Sequence, residues 1–166
     1  MEMDRLAALY KDELKDLWSA ENQILRALPR MTRAAGHKDL KRAFTTHEKQ
    51  TQQHVKRLER ICRDLGISPK GKKCVGMEGI IREGSELIKE KPEQDVLDAG
   101  LISAAQRVEH YEMAGYGTLR TWAELLGHDD HADLLQQTLD NEGETDHLLS
   151  DLAERVINID ATAMAQ

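Results

Sequence analysis

Several acidic and histidine side chains in this sequence fall where a helix would turn them inward, and together they could bind metal ions. At about 100° per residue, Tyr10, Leu14, Leu17, Leu25 and Leu28 lie within roughly 40° of Glu21 around a helix axis. Ile102, Ala105, Met113, Tyr116 and Ala123 cluster around Glu109, with Glu112 one turn on and about 60° to one side. His47, Leu58, Ile61 and Leu65 share the face of His54, and Gln50 sits about 40° away. Leu135, Leu139, Leu149, Ala153 and Val156 bracket Glu142, and Asp146 follows one turn later on the same stripe.

Glu21, Glu109, Glu112, Glu142 and Asp146 cannot all stay ionised in an apolar core. Desolvation costs several kcal/mol per ion, and like charges add to it. Two divalent cations would offset most of that charge. Mixed carboxylate and imidazole ligation suits iron or manganese, with zinc also compatible. The competing outcome is that some of these acids protonate, pair with Arg107 or Arg120, or reach water at the end of a bundle. Glu144-x-x-His147 has ligand-like spacing but lies about 140° from the apolar stripe, so it is expected to face solvent.

The elements that would position these groups are long helices. Breaks at Gly36, Gly66, Pro92 and Gly127 divide the chain into helices expected over about 6–34, 39–65, 77–90, 94–126 and 129–157, with a frayed tail over 158–166. Gly36 is expected to close the first helix in a left-handed conformation. Two hairpins with short joints and one long middle connection carrying its own helix describe an all-α, ferritin-like antiparallel four-helix bundle with a crossover. The halves echo each other: Glu21 to Glu109 is a step of 88 residues, and Gln50 to Glu142 and His54 to Asp146 are each 92. That is the pattern of a two-fold-like dinuclear site.

The 166 residues suit a single domain, and only 4% are aromatic. A formal charge of -7 argues against a nucleic-acid partner. The first residues lack the apolar run of a signal peptide, and no segment approaches membrane-spanning length, so a cytoplasmic address and no membrane partner are expected. Cys62 and Cys74 have no metal-binding or disulfide spacing and read as reduced thiols.

The stretches YKDELKDLWSAENQI from Tyr10, FTTHEKQTQQHVKRLE from Phe44, KCVGMEGII from Lys73, VEHYEMAGYGTL from Val108 and LLQQTLDNEGETDHLL from Leu134 give a resemblance to the YciE/YciF family of ferritin-like stress proteins. The resemblance spans nearly the whole chain. It implies a homodimer with a di-iron or dimanganese site similar in layout to rubrerythrin and manganese catalase. Glu21, Glu109, Glu112 and Glu142 take the ligand positions, with His54 and Asp146 beside them. The family usually carries Glu where this chain has Gln50. A neutral amide coordinates more weakly, so one metal position is expected to be the weaker.

Four further residues have two readings each. Glu78 is either an extra ligand or an acid at a helix N-terminus. His47 either orients a ligand or is a satisfied core histidine. Tyr10 and Tyr116 either hydrogen-bond a ligating carboxylate or simply pack in the core.

Three functions fit these readings. The first is a redox enzyme using the metal pair on peroxide or dioxygen, with an unknown reductase partner. The second is a non-enzymatic homodimer stabilised by metal, and the third is a metal-free interaction bundle.

Overall fold

The computed structural model describes residues 5–163, and all of its regular elements are helical. In order they are α1 (Leu6–Ala34), α2 (Lys38–Asp64), α3 (Val75–Glu90), α4 (Gln94–Leu125) and α5 (Asp129–Leu152), then a π-helical turn (Ala153–Ile157) and α6 (Asn158–Ala163). The predicted fraying from residue 158 is not observed as far as 163. Ile157 is buried in the core and anchors the continuing helix. Residues 164–166 of that expected tail lie outside the described ones.

The helices form because each carries an apolar stripe that can be buried against neighbours. α1 packs on α2, α4 on α5, α1 on α4, and α2 on α5, while α3 lies across α1 and α4. Tyr10 near the start of α1 meets His131 near the start of α5. Gly36, just past the end of α1, meets Asp98 near the start of α4. α1 and α4 are therefore antiparallel. Contacts of Arg57 with Thr138 and of His47 with Thr145 make α2 and α5 antiparallel too. Adjacent helices run oppositely only if the chain crosses the bundle's length between α2 and α4, which is what the 65–93 connection does. This is the ferritin-like arrangement expected from the spacing of the breaks.

Gly36 ends α1 for a different reason from the one predicted. It is not left-handed: the left-handed glycines are Gly66, Gly71 and Gly127. The chain leaves α1 through an extended Ala35, and a Cβ on Gly36 would lie 2.5 Å from the Gln94 side chain. Close approach to α4, not turn geometry, calls for glycine here.

That approach is held by Asp98, which is 2% exposed. Its two oxygens accept the backbone N–H groups of Gly36 (2.8 Å) and His37 (2.7 Å). Hydrogen bonds to a charged acceptor are worth about 1.5–3 kcal/mol each. Asp98→Ala is therefore expected to lower unfolding free energy by about 2–4 kcal/mol in urea denaturation. A loss under about 0.5 kcal/mol, the range of an ordinary surface change, would contradict this role.

The core is not continuous. One apolar cluster gathers Ile24, Leu28, Leu40, Phe44, Leu101, Ile102 and Leu149. A second gathers Tyr10, Leu14, Leu17, Leu58, Ile61, Leu119 and Leu135. Between them each of the four long helices contributes buried polar residues: Glu21 from α1, His47, Thr51 and His54 from α2, Glu109 and Glu112 from α4, and Thr138, Glu142 and Thr145 from α5. Among the described residues, no helix is long and apolar enough to cross a membrane.

Candidate metal centre

The polar layer contains two overlapping groups of possible ligands. His47, Glu109, Glu112 and Glu142 each offer an atom within 4.8 Å of the others, and so do Glu21, His54 and Glu142. Glu142 belongs to both groups. The layer thus joins four carboxylates and two imidazoles, drawn from all four long helices.

Hydrogen bonding around the layer leaves the inward atoms free. His54 Nε2 lies 3.3 Å from Asn141 Oδ1, an atom that also accepts from Arg57. Because Asn141 presents its oxygen, Nε2 must carry the proton of the neutral ring. His54 Nδ1 then faces Glu142 at 2.9 Å and Glu21 at 3.2 Å. On His47, Nδ1 lies 3.4 Å from Thr145 Oγ1, whose hydroxyl donates to Gln50 Oε1 at 3.3 Å. Thr145 therefore accepts from Nδ1, and His47 Nε2 faces Glu109 at 3.1 Å. In both rings the outer nitrogen is held and the inner one turned inward, the usual way a protein fixes a metal-binding histidine. Tyr116 donates to Glu21 Oε1 at 2.5 Å, leaving Oε2 free.

The fit to cations rests on what remains unpaired. Glu21 Oε2, His47 Nε2, His54 Nδ1, Glu109 Oε2 and both oxygens of Glu112 and Glu142 are buried without a hydrogen-bond partner. The close approaches between imidazoles and carboxylates are misaligned for hydrogen bonding, as expected when lone pairs point at a shared centre. Orphaned buried polar atoms are rare in native proteins, and eight in one layer call for an occupant. The arginines do not supply it: Arg107 bonds Ser103 and Arg120 bonds Glu124. Two divalent cations would balance four ionised carboxylates, and the donor set suits iron, manganese or zinc.

Without cations, protons must do part of that work. Burial and the charge of Glu142 push Glu109 and Glu112 well above the ordinary carboxyl value of 4.5. Burial would lower His54, but the carboxylates of Glu21 and Glu142 outweigh it and raise the ring from 6.5 to about 10. Burial also pushes Glu142 upward, but Glu109, His54 and His47 outweigh it and keep Glu142 the ionised member.

Above 4.5, folded Glu109 and Glu112 keep protons that the unfolded chain has released, so their effect lowers stability as pH rises towards their raised values. The His54 contribution is complete below 6.5 and is lost as pH climbs through about 10. Glu142 works oppositely, but only in acid, below 4.5. Metal-free protein is thus expected to melt at a lower temperature near pH 9 than near pH 6. Thermal melts in chelator at those pH values check this, and an equal or higher Tm near pH 9 would contradict it.

The structure brings together Glu21, His54, Glu109, Glu112 and Glu142, as their helical faces predict, and adds His47 directly. Asp146 is a correction. It lies outside both groups, accepting from Gln106 Nε2 at 3.2 Å and lying 3.1 Å from His110 Nε2 on the outer side of the α4–α5 pair. One turn beyond Glu142 it has rotated about 40°, enough for Gln106 to capture it.

Gln50 is half-buried, and its Oε1 accepts from Thr145. His47, on the same helix, is in one of the two groups. Glu78 sits in the first turn of α3, paired with Lys73 at 2.6 Å, and is not in the layer. Tyr10 bonds His131 in the second apolar cluster, away from the acids, while Tyr116 does bond one of them. Glu144 and His147 are exposed, as their direction predicts. Cys62 and Cys74 are buried free thiols. Asn141 and Thr145 were missed by sequence reasoning because they carry no charge, although they flank Glu142 on the buried side of α5.

Fold and layer together define a ferritin-like helical bundle with a buried carboxylate and imidazole cluster. The chain belongs to the family described as a domain of unknown function, DUF892, which matches residues 5–162. It is 42% identical to Protein YciF of Escherichia coli K12 over 159 residues, covering 95% of this chain and 96% of that protein, which bears out the resemblance carried by its motifs. The crystal structure of the E. coli stress protein YciF superposes with a TM-score of 0.90 at 41% identity, covering 94% of this chain and 99% of the other. YcfI of Rhodopseudomonas palustris, described as a candidate structural protein, gives 0.86 at 39%, covering 90% and 97%. A protein of Xanthomonas campestris pv. campestris, 18% identical with a TM-score of 0.77, shares the fold.

Proposed function

We propose that this protein is a cytoplasmic, homodimeric stress-response protein that binds a pair of iron or manganese ions in the polar layer. The observation that carries the proposal is the set of eight buried, unpartnered ligand atoms converging on two positions that share Glu142. When bound, such a metal pair supplies redox chemistry with peroxide or dioxygen at an open coordination position.

The chain's own residues have separable tasks. Glu21, His54 and Glu142 would hold one ion, and His47, Glu109, Glu112 and Glu142 the other. Asn141 and Thr145 keep the two imidazoles in the correct tautomer. Tyr116 fixes the rotamer of Glu21. The apolar clusters on either side exclude bulk water, which strengthens every charge interaction in the layer.

A second reading, a structural protein whose metal is only stabilising, is favoured by the description of YcfI. Metal analysis of protein purified without added metal, followed by peroxide-consumption and ferrous-oxidation assays on the same sample, separates the two. Two ions per chain with rapid turnover supports the enzyme, and two ions without turnover supports the structural role. A full-length chain that retains no transition metal and takes none up sinks both. Sedimentation tests the dimer, and a monomer at micromolar concentration would remove that part of the proposal.

A further inference from the structure

Beside the polar layer lies a cavity of about 290 Å³ that the metal reading does not use. α3 covers it, with α1 and α4 as its walls, and the lining is mostly apolar: Ile24, Phe44, Ile81, Ile88, Leu101 and Val108 are among the residues facing it. His47 and Glu109 also line it, so it reaches the candidate ligands on one side of the layer. Its size falls just short of the roughly 300–1,000 Å³ usual for small-molecule sites, enough for a slender ligand.

The polar lining of the cavity includes two arginines. Arg26 and Arg30, one helical turn apart on α1, are exposed and line it. Arginine ion pairs among the described residues belong to Arg42, Arg60, Arg120 and Arg155, which leaves these two guanidinium groups without a carboxylate. Arg30 makes a 3.5 Å contact with Ser85 of the covering helix. Glu78, the acid on this rim, is already taken by Lys73. On its other side the cavity meets His47 and Glu109 of the polar layer. An apolar space with two free guanidinium groups in its lining selects an amphiphile with one anionic head, and orients it.

We propose that this cavity binds a medium-chain carboxylate, with its head on Arg26 and Arg30 and its alkyl chain running under α3 towards His47 and Glu109. Apolar burial supplies the affinity for the chain, and bidentate guanidinium contacts supply the preference for a carboxylate over neutral and cationic heads. The binding site consists of the chain's own side chains and stands without the metal ions, so it can fail or hold independently of the function proposed above.

Calorimetric titration of metal-free protein with decanoate, decanol and decyltrimethylammonium tests it, with a parallel titration of metal-loaded protein. Decanoate is expected to bind one per chain in both forms, decanol about tenfold more weakly, and the ammonium compound more weakly still. The double variant Arg26→Gln, Arg30→Gln is expected to bring decanoate to the level of decanol.

Ala27→Phe, which fills the cavity from α1, is expected to abolish binding, and Ser85→Trp does the same from α3 should the first variant fail to fold. Absence of decanoate binding to wild-type protein would overturn the proposal. So would equal binding of the ammonium compound, or undiminished binding to a folded cavity-filling variant. Loss of metal uptake with decanoate binding intact would sink only the metal reading.

Discussion

Glu142→Gln is expected to abolish binding at both metal positions at once, because Glu142 belongs to both ligand groups and no other residue does. The amide keeps the size of the side chain but removes the charge and replaces one oxygen by a donor that points the wrong way. Residues that only orient a ligand typically cost 10–100-fold in metal affinity when changed, roughly, and a shared ligand should exceed that range. We therefore expect at least about a 100-fold weakening, with stoichiometry falling from two ions per chain to none at micromolar metal.

Thr145→Val and Asn141→Leu, which release His47 and His54 respectively, are expected to fall within the roughly 10–100-fold range. Asp146→Asn is expected to leave affinity unchanged, because that side chain is held by Gln106 outside the layer. Equilibrium dialysis with metal analysis measures all four. Retention of two ions by Glu142→Gln, or a large loss in Asp146→Asn, would mean that the ligands have been misassigned.

Metal removal is expected to have the second largest effect, on stability. Ions that bind only the folded state stabilise it by RT ln(1 + [L]/Kd), about 2.7 kcal/mol per site at a hundred times Kd. Two sites give about 5 kcal/mol, and a chain of this size shifts by about 2–4 °C per kcal/mol, so loading should raise Tm by about 10–20 °C. Calorimetric scans with metal, and again after a chelator, measure the shift. An unchanged Tm would support a metal-free interaction bundle.

How far the site could be read from the sequence depended on whether direction around one helix was enough. Glu21, Glu109 and Glu142 are charges on otherwise apolar stripes, a conflict visible at helical periodicity without knowledge of the neighbours. The crossover topology was legible in the same way, from where Gly and Pro interrupt the periodic segments. Asp146 shows where this method stops. Its angle alone admits it to the buried stripe, but its destination was decided by Gln106 on α4, and cross-helix hydrogen bonds leave no trace in a single helix's pattern.

His47 failed in the opposite sense. The internal echo of the two halves paired Gln50 with His54, whereas the candidate groups draw on α2 histidines seven residues apart, two turns along one face, and Gln50 accepts from Thr145. Gly36 was found as a break but for the wrong reason. Its need for glycine comes from Gln94, 58 residues away in the chain, which no local rule could supply.

Anomalous X-ray scattering from crystals grown with manganese or iron, collected at the metal's absorption edge, addresses the central claim most directly. The account predicts two peaks inside the bundle, one among Glu21, His54 and Glu142 and one among His47, Glu109, Glu112 and Glu142. Crystals that show no anomalous density in that layer at saturating metal, or density only at surface acids, would contradict it.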